Sequence, residues 1–226
     1  MERPRVGNKT GPKPQLSAND IAECALKIGV DNFTIGQVAK ELGVVPSAVY
    51  RHVESREDIV IRAFIRAGRQ LQQVPTDLSW QGILRWMADD MWRLFDRYPG
   101  LAPAIFTTPG AHIGVQKYFD DVVTALMDAD FPGDRGRALF AMDMVGDSVT
   151  VSRVFHEHLT SVGEDGMTGL ERAKKIFQTR TYVPANIKLA FAPEESWMAR
   201  DGLNVQLEFI IEALEVIPPR PEYSRY

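Results

Sequence analysis

An all-α fold is predicted by three observations. Apolar residues recur at helical spacing in successive segments along the chain, and Ser, Thr or Asp precedes those segments while Gly or Pro ends them. No segment alternates polar and apolar residues over enough length to build a sheet.

Composition agrees with a folded domain. The 226 residues are 45% hydrophobic and 25% charged, which excludes a wholly disordered chain, a collagen-like repeat and a coiled-coil rod. The single cysteine, Cys24, cannot close an intrachain disulfide, and no apolar run approaches the ~20 residues that span a bilayer. The start, Met-Glu-Arg-Pro-Arg, lacks the apolar core of a secretory signal, so a cytoplasmic location is expected. Net charge is −4 but uneven. Residues 1–70 hold eleven Lys and Arg against eight Asp and Glu, whereas residues 71–226 hold fifteen against twenty-two. A basic front on an acidic body points weakly toward a nucleic-acid partner.

The first helix starts at Ser17, with Asp20 three residues on, carries Ile21, Ala22, Ala25, Leu26 and Ile28, and stops at Gly29. Thr34 and Gln37 form a second capping box, flanked by a Phe33–Val38 staple, for a helix that runs through Leu42 to a stop at Gly43. Pro46 opens a third helix, expected to reach Val53. Two short helices joined so tightly need a small residue at their crossing, a turn glycine and an apolar anchor. Ala39, Gly43 and Val49 supply these, which is the spacing of a helix-turn-helix and also of other αα-corners. Ser55 caps a fourth helix with Ile59, Ala63, Ala67 and Leu71 on one side, expected to last until Val74-Pro75.

Beyond this, Trp80, Ile83, Leu84, Met87, Met91, Leu94, Phe95 and Tyr98 mark a long amphipathic helix that ends at Pro99-Gly100. The stretch Tyr98–Gln116, broken by prolines and glycines, reads as loop and short helix. Further helices are expected over 112–129, 135–159 and 194–216, and residues 161–169 read as a polar segment of low order.

The run Val49-Tyr50-Arg51-His52-Val53-Glu54-Ser55-Arg56 strongly resembles the signature of the TetR family of bacterial transcriptional repressors, with the match covering about residues 17–65. The body resembles the tetracycline-repressor-like C-terminal half less closely, through Trp80, Tyr98-Pro99-Gly100 and the closing helix from Asp201 to Leu214. Upstream of the match, Arg3, Arg5, Lys9 and Lys13 among Pro and Gly make residues 1–16 a flexible basic arm, while the resemblance implies a three-helix DNA-binding head over 17–70 and an effector-binding and dimerisation domain over 71–226. It implies that Thr34, Tyr50, His52 and Arg56 meet backbone phosphates. Gly36, Ser47, Ala48 and Arg51 then lie where base edges are read, and Arg51 suits guanine because a guanidinium bonds O6 and N7 together. Two departures stand out: Glu54 adds negative charge beside the phosphate contacts, and Gly36 replaces a base-reading side chain of some relatives.

In the body the resemblance implies an effector pocket. Candidate wall residues are Trp86, Met87, Met91, Phe106 and Phe119, joined by Met142 and Phe155, with Asp90, His112 and Asp143 as polar groups. It also implies a homodimer built on the last two long helices. Gly146 and Ser148 would allow close approach, and Leu203, Leu207, Ile210, Ile211 and Leu214 form an apolar stripe that equally suits a single-chain core. The expected function is thus a dimeric repressor of a palindromic double-stranded DNA operator, released by a small-molecule effector, with no cofactor or metal. A regulator answering a partner protein or no effector is the alternative. An enzyme using Asp143 and Asp147 is a remote one: His156 and His158 diverge around a helix, and no nucleophile elbow, phosphate loop or His-Glu-x-x-His motif is present.

Overall fold

Ser17 accepts a hydrogen bond from the Asp20 backbone N–H, while its own N–H donates to the Asp20 carboxylate at 2.9 Å, and the first helix begins there. The computed structural model describes residues 16–179 and 192–219. Among these, every regular element is helical, with one isolated bridge between Val162 and Thr168. No helix among them is long and apolar enough to cross a membrane. The basic arm lies outside the described residues.

Helices α1 (Ala18–Ile28), α2 (Ile35–Glu41) and α3 (Pro46–Val49) build the front, and α4 (Arg56–Gly68) packs along α1. Thr34 and Gln37 make the capping box of α2. Its far end closes in a Schellman motif: Gly43, at φ +66°, donates to Lys40 O at 3.1 Å, and Val44 donates to Ala39 O at 2.9 Å. Ile21, Leu26, Phe33, Val38, Val49 and Ile59 fill the small core beneath them.

Helix α3 is shorter than the sequence predicts. It is α-helical only to Val49; Arg51 and His52 then donate to Ala48 O and Val49 O, so the chain winds on as tight three-residue turns rather than helix up to Val53. Helix α4 also ends early. After Gly68 it passes through tight turns at Gln70 and Leu71, and the Gln72 N–H is taken by the Asp90 carboxylate at 2.8 Å, which halts the winding before Val74.

The body holds α5 (Trp80–Arg97), α6 (Leu101–Thr107), a 3₁₀ turn at Ala111–Val115, α7 (Gln116–Asp128), α8 (Arg135–Thr160), α9 (Gly169–Thr179), a second 3₁₀ turn at Glu195–Met198 and α10 (Asp201–Val216). The segments expected over 112–129 and 194–216 are thus each a 3₁₀ turn followed by an α-helix, the latter interrupted at Ala199 and Arg200. Residues 161–169 are ordered by backbone bonds from Gly163 to Met167 O and from Gly169 to Ser161 O. Helix α9 follows, opened by a Thr168–Glu171 pairing that the sequence displays but that periodicity did not bring out.

Helix α8 is the axis of the body, with α5, α7 and α10 against it. Buried Arg137 near its start donates to Leu214 O at 3.0 Å and to Ile217 O, closing the C-terminal end of α10. A second tie joins head and body. Gly100, at φ +82°, donates to Glu157 at 3.1 Å and leaves no room for a Cβ beside Asp31 of the head.

Candidate nucleic-acid interface and body cavity

Tight closure of α2 and immediate entry to α3 leave Gly36, Ser47, Tyr50 and Arg51 exposed, with Ala48 and His52 half-buried. Burial of Val49 anchors this segment, since its side chain is wholly enclosed while Tyr50 beside it is 55% exposed. Thr34 is also exposed, but its groups serve the helix: its hydroxyl accepts from Gln37 N–H at 3.1 Å and donates to the Gln37 side-chain oxygen at 3.0 Å.

Arg56 differs from expectation. Its Nε donates to Phe33 O at 3.1 Å and its Nη2 to Val30 O and Asp31 O at 3.2 and 2.7 Å, with the guanidinium over the Phe33 ring. Three carbonyls of the loop between α1 and α2 therefore use donors that a phosphate would need. The guanidinium reaches back to this loop because α4 packs along α1, a tertiary arrangement invisible in the local motif.

Sequence reasoning missed Val45. It is 63% exposed at the N-cap of α3, and a solvent-facing apolar residue here suits a thymine methyl group. The adjacent pair Val44-Val45 was the available signal, because only Val44 packs against the core.

In the body, a cavity of about 230 Å³ lies between α4, α5, α6, the first 3₁₀ turn, α7 and α8. Of the candidate wall residues, Met91, His112, Phe119, Met142 and Asp143 line it, and Asp147 joins them. The others go elsewhere. Met87 is core; Trp86 stacks on Tyr118 at 6.2 Å; Phe106 and Phe155 are 60% and 61% exposed on outer faces. Asp90 is buried and structural, holding the Gln72 N–H and Arg93. Burial, reinforced by the Asp90 charge, pushes the neighbouring Tyr118 phenol above its ordinary range. Helical spacing could not distinguish these fates, because the cavity is cut by α4 and α6, elements distant in sequence from α5.

The walls contributed by α4, namely Phe64, Ala67 and Gly68, were not among the candidates. Asp143 and Asp147, one turn apart on α8, are both exposed residues that also line the cavity. Although Asp143 as a whole is exposed, its carboxylate loses part of its hydration against the cavity wall, and this desolvation, reinforced by the Asp147 charge, raises the pKa of Asp143. His156 instead stacks edge-on against Trp92 at 5.7 Å. Among the described residues, no group of three or more His, Cys, Asp or Glu is arranged to hold a metal ion.

The proposed dimer residues also redistribute. Leu203, Leu207, Ile210, Ile211 and Leu214 are all buried within the chain, so that stripe packs the body itself. Gly146 lines the cavity, with Met91 within van der Waals reach, while Ser148 lies beside Val205 and Phe209 in a surface groove. The large apolar side chains left exposed on the last two long helices are Met144, Val151 and Phe155 on α8 and Val205, Phe209 and Val216 on α10.

No protein-family model and no curated protein matches the chain. Solved structures do. A possible TetR family transcriptional regulator from Streptomyces coelicolor A3(2) superposes with TM-score 0.70 at 15% identity, over 89% of this chain and 100% of the other. The S. coelicolor TetR family protein ActR in complex with actinorhodin gives 0.65 at 18% identity, over 90% and 97%. The S. coelicolor TetR regulator SCO7222 gives 0.61 at 14%, over 90% and 100%. The chain therefore has the all-α fold of TetR family regulators along nearly its whole length.

Proposed function

We propose that the chain is a TetR family transcriptional regulator: a homodimeric repressor that binds a palindromic operator and releases it when a small molecule occupies the body cavity. One observation carries this reading. Helix α4 follows the α3 turn through the Ser55 cap, and its second half forms part of the cavity wall through Phe64, Ala67 and Gly68. A ligand that needs more room meets the helix that carries the head, so occupancy and head position share one mechanical element.

The ActR complex with actinorhodin supports a ligand-responsive reading for this fold. The exposed Met144, Val151, Val205 and Phe209 support pairing of two copies through α8 and α10. Two heads about 34–36 Å apart then read two half-sites of a palindrome. Tyr50, His52 and Thr34 position the head on phosphates, Arg51 reads a base, and Gly36, Ser47 and Ala48 allow close approach. Arg56 shapes the loop that presents them. Asp143 and Asp147 act as ligand contacts, not as catalysts.

Coupling is reciprocal: if an effector weakens operator binding about tenfold, or ~1.4 kcal/mol, operator weakens effector binding equally. The test is selection from randomised duplex DNA at ~150 mM salt, where surface electrostatics are already screened. An enriched palindrome is the expected result. Folded protein that enriches no sequence contradicts the proposal.

A further inference from the structure

The chemistry of the cavity wall points to a ligand class. Most of the wall is apolar, including Phe64, Leu71, Met91, Phe95, Leu101 and Phe119. The fully charged side chains along it are both negative, Asp143 and Asp147; no Lys or Arg lines it. Several acidic groups of the body are matched by arginine: Asp89 by Arg200, Asp96 and Glu157 by Arg153, and Asp90 by Arg93. Asp143 and Asp147 have no such ion pair among the described residues.

The polar group deepest in the wall has the same bias. Buried Thr150 donates its hydroxyl proton to Gly146 O at 2.8 Å, so it offers the cavity only lone pairs. Apart from His112, whose imidazole can donate as well as accept, the polar side chains of the wall are acceptors, and a ligand that meets them supplies donors. Size narrows the class further. A cavity of about 230 Å³ exceeds the ~150 Å³ that admits benzene but falls short of the ~300 Å³ at which drug-sized pockets begin.

We propose that this cavity takes a small apolar cation, a body of about one ring bearing a protonated amine, with the amine held between Asp143 and Asp147 and the Thr150 oxygen as a further acceptor. The inference rests on the reading of the cavity as the effector site. A cation relieves the repulsion between two carboxylates one turn apart, whereas a carboxylate ligand adds a third negative charge. Loss of hydration at its carboxylate raises the pKa of Asp143, and the Asp147 charge adds to that shift.

Calorimetric titration of the full chain with phenylpropylamine, phenylpropanol and phenylpropionate compares one body with three head charges. The amine is expected to bind at least about tenfold more tightly than the alcohol, and the propionate most weakly. The double variant Asp143→Asn, Asp147→Asn should bring amine affinity down to that of the alcohol while leaving the alcohol unchanged, which also certifies that the cavity is intact. Gly146→Leu should abolish binding of amine and alcohol alike by filling the space beside Met91. The proposal is overturned if the propionate matches or exceeds the amine, if the double variant keeps the amine preference, or if none of the three binds.

Titration in the presence of the selected operator separates the two readings. An amine that binds with the expected charge preference but leaves operator affinity unchanged upholds the ligand class and sinks the effector role. An alcohol that binds as tightly as the amine and releases operator does the reverse.

Discussion

Gly68, the last residue of α4, and Gly114, in the 3₁₀ turn before α7, meet backbone to backbone. A Cβ added at Gly68 would fall 2.4 Å from the Gly114 carbonyl oxygen, and one added at Gly114 would fall 2.7 Å from the Phe64 carbonyl. Both obstructions are main chain, so neither can be relieved by turning a side chain. The helix that carries the head is thus pressed directly against a turn whose Ala111, His112 and Val115 line the cavity.

Gly68→Ala and Gly114→Ala are each expected to destabilise the protein by about 1–3 kcal/mol, as overpacking does. Each should also change operator affinity without touching DNA, because α4 must shift. Thermal melts and DNA titration check this; wild-type values in both would show that the contact is not part of the head–body joint.

Arg51 and Arg56 should fail differently. Arg51→Ala is expected to relax base preference at one position per half-site by about 1–3 kcal/mol while leaving the melting temperature unchanged. Arg56→Ala leaves the carbonyls of Val30, Asp31 and Phe33 without a donor, and is expected to lower stability by about 1–3 kcal/mol. Its effect on the salt dependence of binding should be small. An Arg56→Ala protein with normal stability and a flattened salt slope would restore that residue to the phosphate contacts.

The two faces of α10 are expected to separate assembly from folding. Phe209→Asp, at a residue 73% exposed, should convert a dimer to monomers in sedimentation and reduce operator affinity while the melt stays cooperative. Leu207→Ala, at a residue 4% exposed, should instead cost about 2–5 kcal/mol of folding stability. A Phe209→Asp chain that remains dimeric rules out this face as the interface.

Stability should rise when the Asp143 charge is removed. Its pKa is raised by burial and by Asp147, so the native state holds the proton more tightly than the unfolded chain does. The favourable contribution is fully present below the ordinary aspartate pKa and is lost as pH rises through the raised native value. Asp143→Asn is therefore expected to melt at a higher temperature than wild type at neutral pH, and the two should converge below about pH 3.9. Equal melting temperatures at neutral pH would contradict the assigned cause.

Local chemistry was the part of this protein written in the sequence itself. Caps at Ser17, Thr34 and Ser55, the glycine stop at Gly43 and the Ala39–Gly43–Val49 crossing depend on bonds spanning a few residues, so α1, α2 and α4 begin where those residues stand. The all-α class follows from the same signals. Tertiary structure decided everything that required two distant segments to meet. It turned the Leu203–Leu214 stripe inward onto the body, drew Arg56 back to the loop before α2, buried Asp90 under Gln72 and made α4 a cavity wall. Periodicity identifies which side of a helix is apolar, but not what will cover it; that choice is made by packing, which only the folded chain performs.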